Sequence, residues 1–205
     1  MKDVEGDKIT QLRAYKQRPR KLTRFALRSM RVGERYWSNS WAGIPTSDHK
    51  TELEKFLKNL SEEAVMGRGL FLTGKYQTGK TALSCFILKR AYQLGLHGMF
   101  TRETELPDFF WSSEGEMEID GNSLRERIYG SHILVIDDFG NRSPNDKIAD
   151  LVEKILRYRN ERMFSTIITS TCSPRDISSR YSRGIVNMIN RTMKAVSIEG
   201  HVWQE

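Results

Sequence analysis

Hydrophobic positions along the chain alternate between short unbroken runs and longer stretches with helical spacing. The runs at 69–73 (GLFLT), 132–136 (HILVI) and 165–170 (STIITS) have the length and composition of buried β-strands. Helical spacing follows the first two runs, from Lys80 to Leu94 and from Ile148 to Leu156. Strands that alternate with helices favour an α/β fold, in which helices cover both faces of a parallel sheet.

Weaker signals predict further elements. Ser123 and Glu126 form the capping-box pattern of a short helix that ends near Gly130. The remaining predictions are a helix over 48–66, a strand over 97–102, a solvated loop over 114–121, a helix over 184–194 and a final strand that begins at residue 194.

Charge is distributed unevenly along the chain. The 205 residues carry a formal net charge of +7, and residues 1–35 alone hold eleven basic and four acidic side chains, so the remainder is neutral. This predicts a basic N-terminal arm over 1–45, helical or partly disordered, and a body over 46–205. Leu22, Phe25, Ala26 and Met30 have the spacing of a short amphipathic helix within the arm. A cationic arm attracts nucleic acid first and acidic protein surfaces second.

Several classes of protein do not fit the composition. No apolar run approaches the roughly 18 residues that span a bilayer, and the first residues lack the apolar core of a secretory signal. Cys85 and Cys172 are too few for a zinc cluster or a disulfide scaffold, so we expect reduced thiols. The sequence therefore predicts a cytoplasmic protein without a membrane partner.

One segment fits the phosphate-binding pattern GxxxxGK[ST] between a predicted strand and a predicted helix. In such a loop the glycines let backbone N–H groups surround a phosphate at a helix N-terminus, so this P-loop predicts a polyphosphate as ligand. The last two residues of the pattern act through their side chains. Lys80 is expected to neutralise the β- and γ-phosphates, and Thr81 to ligate Mg²⁺. The predicted cofactor-binding residues are Gly74, Lys75, Tyr76, Gln77, Thr78, Gly79, Lys80 and Thr81.

The residues that complete a nucleotide-hydrolysis site follow two other strands. Asp137 ends the run ILVID and is the candidate Mg²⁺ ligand, and Asp138 is the candidate group that polarises the attacking water. Thr171 follows the strand at 165–170 and would lie beside both carboxylates if that strand separates the other two. Arg191, in the last predicted helix, is the candidate guanidinium inserted into a neighbouring subunit's site; the alternative is a solvated helix arginine.

The segments GKYQTGKT, ILVIDDFG, ILRYRNERMFSTIITS and MINRTMKAVSIEG, in this order, resemble the AAA+ ATPase core of DnaC/DnaI-type replicative helicase loaders. They are also similar to IstB-type transposition helpers, which share that core. The resemblance covers about residues 36–201 and identifies the body as an AAA+ P-loop domain. It implies that Lys80 and Thr81 are Walker A residues, Asp137 and Asp138 the Walker B pair, Thr171 sensor 1 and Arg191 the arginine finger. Thr171 departs from the asparagine that is usual at its position.

The resemblance implies an ATPase that binds ATP and Mg²⁺ between subunits of a homo-oligomer. It further implies single-stranded DNA and a replicative hexameric helicase as partners. Two alternatives remain open: an IstB-like helper that binds duplex DNA, and an ATP-gated binding module with negligible turnover. The helper shares the catalytic residues of the loader, whereas Asp138 and Thr171, both less common choices, motivate the module.

Three adjacent aromatic residues, Phe109, Phe110 and Trp111, follow the predicted second strand. They fit a stacking platform for single-stranded DNA. The alternative is that two of the three belong to the hydrophobic core.

Overall fold

The computed structural model describes residues 20–43, 50–119, 121–141 and 143–199. It contains one large sheet of parallel strands and one short antiparallel hairpin. The strands of the sheet are β1 (Gly69–Thr73), β2 (Gly98–Arg102), β5 (Ile133–Asp137), β6 (Ser165–Ser170) and β7 (Met193–Ser197), and the hairpin consists of β3 (Glu118–Ile119) and β4 (Asn122–Ser123). The order across the large sheet is β2-β5-β6-β1-β7.

Helices connect the strands on both faces of the sheet. They are α1 (Arg24–Ser29), α2 (Lys50–Lys58), α3 (Leu60–Val65), α4 (Lys80–Gln93), α5 (Leu106–Trp111), α6 (Leu124–Gly130), α7 (Asp146–Glu161), α8 (Pro174–Arg180) and α9 (Arg183–Thr192). The capping box at Ser123 and Glu126 starts α6 as predicted.

Three local predictions need correction. The single helix predicted over 48–66 is two helices, because the backbone leaves helical geometry at Asn59 (ψ 18°). The loop predicted over 114–121 includes a 3₁₀ turn (Ser113–Glu116) and β3. Helix α8 was not predicted, since over 175–180 Ile177 is the single buried apolar side chain and the start of the helix depends on the capping residue Ser173.

The two faces of the sheet have separate hydrophobic clusters, which follows from the alternation of side chains along each strand. Leu70 and Leu72 of β1 pack with Leu83 of α4 on one face. Phe71, between them in sequence, packs with Val152 and Ile155 of α7 on the other. The predicted α/β fold with helices on both faces of a parallel sheet is therefore confirmed.

Part of the predicted arm is packed on the body. Leu27 and Met30 of the α1 region are buried in the same cluster as Leu83, and the Met30 carbonyl accepts a hydrogen bond from the backbone N–H of Phe100 on the edge strand β2 (2.9 Å). Phe25, predicted on the apolar face, is instead 68% exposed. Residues 1–19 and the predicted boundary at 45/46 lie outside the described residues.

A buried arginine joins α7 to its neighbours. Arg159 is fully buried and donates to the Thr166 hydroxyl (3.0 Å) and to the carbonyls of Ile128 (2.8 Å), Tyr129 (3.1 Å) and Ser165. Burial lowers the pKa of its guanidinium to about 9. Because these acceptors belong to α6 and to β6, Arg159 fixes the start of the central strand relative to the helix beside it.

The strand order brings the predicted site segments to one edge. Strand β6 pairs with β1 on one side and β5 on the other, with Ile167 opposite both Leu70 and Val135. The carboxyl ends of β1, β6 and β5 are therefore adjacent, as the placement of Thr171 required. Among the described residues, no helix has both the length and the apolar composition to cross a membrane.

Candidate functional site

The loop between β1 and α4 has a backbone that glycine makes possible. Gly79 adopts φ 90° immediately before α4, and Gly74 adopts φ 146°. A Cβ at Gly74 would lie 2.3 Å from the carbonyl oxygen of Ile198, so no larger residue fits there. The loop leads directly into the N-terminus of α4, where free backbone N–H groups and the helix dipole favour an anion.

Lys80 is buried inside the curve of this loop. Its ammonium group donates to the carbonyls of Gly74 (2.9 Å) and Lys75 (2.6 Å). Burial lowers the pKa of Lys80, and the negative charges of Asp138 and Asp137 oppose that effect. The structure thus holds a desolvated cation beside the anion-binding N-terminus of α4.

Asp137 lies at the end of β5 within reach of two hydroxyl groups. The Thr81 hydroxyl is 2.9 Å from Oδ1 of Asp137 and 3.2 Å from Oδ2, and the Thr169 hydroxyl donates to Oδ1 at 2.6 Å. Burial raises the pKa of Asp137, while the hydrogen bonds from Thr169 and Thr81 act in the opposite direction. Sequence reasoning did not select Thr169. Its signal was a polar residue next to the last position of an otherwise apolar strand, β6.

Asp138 and Thr171 are joined through a residue that the sequence analysis did not select. Asn141 donates from Nδ2 to Oδ1 of Asp138 (3.2 Å) and accepts at Oδ1 from the Thr171 hydroxyl (2.6 Å). Asp138 has a left-handed backbone (φ 58°), and its N–H donates to the Thr169 hydroxyl (3.1 Å). The two carboxylates and Thr171 therefore lie together at one edge of the sheet.

These groups line one cleft of about 370 Å³, within the usual size range of small-ligand sites. Three lining residues were not predicted: Arg35 and Tyr36 from the N-terminal segment, and Arg102 at the end of β2, opposite Asp137. The cleft is lined by Arg35, Tyr36, Tyr76, Gln77, Thr78, Gly79, Lys80, Thr81, Ala82, Arg102, Asp137, Asp138 and Thr171.

Lys89 of α4 fixes the segment that carries Arg35 and Tyr36. Its buried ammonium group donates to the carbonyls of Tyr36 (2.9 Å), Trp37 (3.0 Å) and Asn39 (2.6 Å). Burial raises the pKa of Tyr36 and lowers that of Lys89. The helix that follows the loop therefore also positions the opposite wall of the cleft.

The oxygen donors in the cleft fit Mg²⁺. A carboxylate and a hydroxyl, those of Asp137 and Thr81, lie within hydrogen-bond distance of each other, and Mg²⁺ prefers such hard ligands. Burial disfavours the ionised form of Asp137, a cost that a bound cation offsets. No cluster of three or more potential metal-binding His, Cys, Asp or Glu residues occurs in the described ranges.

Arg191 is not brought into this cleft. It lies in the last turn of α9, next to the start of β7, and β7 begins opposite Gly69 at the amino end of β1. The P-loop follows the carboxyl end of β1, so Arg191 lies at the other edge of the sheet. Any contact between Arg191 and a bound nucleotide would have to involve another subunit.

The three adjacent aromatic residues of α5 differ in exposure. Phe109 is buried, Phe110 is half-buried against Tyr129, and Trp111 is 56% exposed. The interpretation that two of the three belong to the core is confirmed.

No protein-family model and no curated protein matches the sequence. Among solved structures, the chain is similar to the DnaC helicase loader, at 26% identity and a TM-score of 0.69, over 82% of this chain and 100% of that one. It is also similar to DnaI, at 18% identity and a TM-score of 0.65, over 83% of this chain and 96% of that one. A third similar structure is the replication initiator DnaA bound to AMPPCP and single-stranded DNA. The identity is 17% and the TM-score 0.62, over 77% of this chain and 48% of that one. The last two show the fold alone. The likeness to the DnaC loader over its whole length confirms what the motifs indicated, a resemblance to AAA+ ATPases of the DnaC/DnaI helicase-loader type.

Proposed function

We propose that the protein is an ATPase that loads a replicative hexameric helicase onto single-stranded DNA. The observation that carries the ATPase assignment is the contact of Thr81 with Asp137 beside buried Lys80, at the N-terminus of α4. The likeness to the DnaC helicase loader supports the loading role. The basic N-terminal region supports contact with a polyanion.

The charged and hydroxyl-bearing residues at the centre of the cleft have defined parts in this proposal. Lys80 and the backbone N–H groups of the loop hold the β- and γ-phosphates. Thr81 and Asp137 hold Mg²⁺, which when bound neutralises charge on the phosphate oxygens. Asp138 accepts a proton from the attacking water, and Asn141 keeps the Asp138 carboxylate and the Thr171 hydroxyl in a fixed relation.

The remaining charge on the transferred phosphoryl group is stabilised between subunits. We assign this role to Arg191 of a neighbouring molecule, which makes the active form a homo-oligomer joined through the ATP site. Arg35, Tyr36 and Arg102 complete the cleft within one subunit.

ATP binding and helicase loading are tested separately. Lys80→Ala removes the buried cation and should abolish binding of a fluorescent ATP analogue, whereas Lys154→Ala, at an exposed position of α7 outside the cleft, should retain it. Undiminished binding by Lys80→Ala would contradict the site assignment.

For loading, the wild-type protein and ATP should increase the amount of hexameric helicase retained on a circular single-stranded DNA.

Competition by duplex DNA and a measurement of phosphate release separate the alternatives. Preference for duplex DNA with no effect on the helicase would favour the transposition helper. ATP binding without phosphate release, in the presence of helicase and DNA, would favour the nucleotide-gated binding module.

A further inference from the structure

Helix α1 presents a cationic and aromatic outer face. Its inner side buries Ala26 and Leu27, whereas Arg24, Phe25 and Arg28 are exposed. Phe25 is exposed although its helix is well anchored: the Thr23 hydroxyl caps the Ala26 N–H (3.1 Å), and the segment after α1 is bonded to the edge of the sheet. The exposed ring is thus a feature of a fixed helix.

A small cavity of about 190 Å³ lies beside Phe25. Two further elements of the body contribute to it, because Tyr92 of α4 and Arg127 of α6 share its lining with Arg20. The Arg20 guanidinium lies over the Tyr92 ring at 5.6 Å from its centroid. The described residues that line this cavity include no acidic side chain.

The segment that carries α1 is rich in positive charge. Residues 20–43 contain six basic side chains and one acidic side chain, Glu34, which pairs with Arg28 at 3.2 Å, and Arg31 pairs with Glu105 of the body at 3.3 Å. Arg20, Lys21 and Arg24 are exposed. A surface that combines several cations with an exposed aromatic ring has the two features by which proteins hold single-stranded nucleic acid.

We propose that single-stranded DNA binds on this α1 face, defined as Arg20, Arg24, Phe25 and Arg28 with the cavity beside them. An unpaired base stacks on Phe25, and phosphates contact Arg20, Arg24 and Arg127. Duplex DNA fits less well because its bases are already stacked and paired. The choice of DNA rests on the proposed function, whereas the location rests on the α1 face alone.

The α1 face is separate from the cleft that holds Lys80. The cavity beside Phe25 is lined by Gly98, the first residue of β2, and therefore lies near the amino edge of the sheet. The cleft lies at the carboxyl edge, beyond Arg102 of the same strand. Nucleotide and DNA can therefore bind the same subunit at once, and variants on one site test that site alone.

The experiment measures fluorescence anisotropy of a labelled thirty-residue oligo(dT) with the full chain at several salt concentrations. Phe25→Ala should bind about tenfold more weakly. Met117→Ala is the control, because Met117 is an exposed apolar residue elsewhere on the surface, and it should bind as the wild type does. Trp111→Ala tests the rival aromatic platform on α5 and should also leave binding unchanged. The double variant Arg20→Ala/Arg24→Ala should reduce the slope of log affinity against log salt by about 1.4.

Further measurements keep folding and function apart. Phe25→Leu preserves an apolar side chain without an aromatic ring and should show the same weakened binding, while both Phe25 variants retain wild-type ATP affinity. Wild-type affinity in Phe25→Ala, equal competition by duplex DNA, or no binding of oligo(dT) by the wild type would each overturn the proposal. None of these results would contradict the assignment of the ATP site, which Lys80→Ala tests independently.

Discussion

At the scale of single residues, Thr169 connects the two carboxylates of the cleft. Its buried hydroxyl donates to Asp137 and accepts from the N–H of Asp138, so one oxygen fixes both the proposed metal ligand and the start of the loop that carries the proposed base. Thr171, selected from the sequence, contacts Asn141 instead. The two threonines therefore have different parts in the site.

We expect Thr169→Val to slow ATP hydrolysis about tenfold or more while leaving ATP affinity nearly unchanged. Valine has the shape of threonine but leaves the N–H of Asp138 without its acceptor and removes one of the two hydroxyl contacts of Asp137 Oδ1, so the free energy of unfolding should fall by about 1–3 kcal/mol. Phosphate release and urea denaturation measure the two effects. Thr169→Ser, which keeps the hydroxyl, is the control; hydrolysis by Thr169→Val at the wild-type rate would exclude the connecting role.

Glu103 is a second residue that sequence reasoning did not find. It is buried after β2, where its carboxylate accepts from the N–H of Gly140 (2.8 Å) and from the Tyr181 hydroxyl. Burial raises its pKa to about 7, and the hydrogen bond from Gly140 and the charge of Arg180 act in the opposite direction. Glu103 thereby holds the loop that follows Asp138.

This raised pKa predicts a pH dependence of stability. An unfolded glutamate titrates near pH 4.3, so between about pH 4.5 and 7 the folded protein binds more protons than the unfolded chain. The contribution of Glu103 to the free energy of unfolding is complete below this range and falls as pH rises through it, by at most about 1.4 kcal/mol per pH unit. Glu103→Gln should remove that decrease in urea denaturations from pH 5 to 8. An exposed-site control, Glu161→Gln, should keep it, and an unchanged profile in Glu103→Gln would contradict the raised pKa.

At the scale of elements, strands and helices with a strong pattern were predictable, whereas contacts between distant segments were not. The runs GLFLT and STIITS predicted β1 and β6 because buried strands need apolar residues on both faces. Gly74, Lys80 and Thr81 were found because a phosphate loop depends on local spacing. Arg35 and Tyr36 were not found, because they reach the cleft only through tertiary packing, and the contact of Asn141 with Thr171 likewise joins distant segments.

The N-terminal segment that carries Arg35 and Tyr36 has a role in the cleft that depends on tertiary packing. Composition alone indicated an arm that attracts polyanions, but Arg35 and Tyr36 also form a wall of the cleft. Their position depends on Lys89, whose ammonium group replaces water at three carbonyls. Helix α4 therefore connects the phosphate loop at its start to the opposite wall at its other end.

We expect Lys89→Met to weaken ATP binding about tenfold without an equal loss of the maximal hydrolysis rate, because it loosens Arg35 and Tyr36 but leaves the loop and both aspartates in place. Loss of three buried hydrogen bonds should also lower the free energy of unfolding by about 2–4 kcal/mol. Titration of a fluorescent ATP analogue and steady-state kinetics separate affinity from rate. Arg90→Met, at the exposed adjacent position on α4, should behave as the wild type; unchanged affinity in Lys89→Met would show that the wall is held in another way.

At the scale of the whole molecule, the two edges of the sheet have different proposed partners. The carboxyl edge holds the cleft with Asp137 and Asp138, and the amino edge holds both the α1 face and Arg191. A single subunit therefore cannot bring Arg191 to its own cleft. If Arg191 acts on ATP, the reaction must depend on assembly.

The dependence of ATP hydrolysis on assembly can be tested at Arg191. Arg191→Ala should leave ATP affinity of the isolated subunit unchanged, because Arg191 does not line its cleft, but should lower hydrolysis by about 10³-fold in the assembled form. Arg191→Lys keeps the charge without the planar fork and should recover only part of the rate. Phosphate release measured across protein concentrations, with assembly followed by light scattering, separates the two states. An equal loss in both, or full activity of the assembled Arg191→Ala protein, would show that Arg191 is a solvated helix residue and that another group stabilises the transferred phosphate.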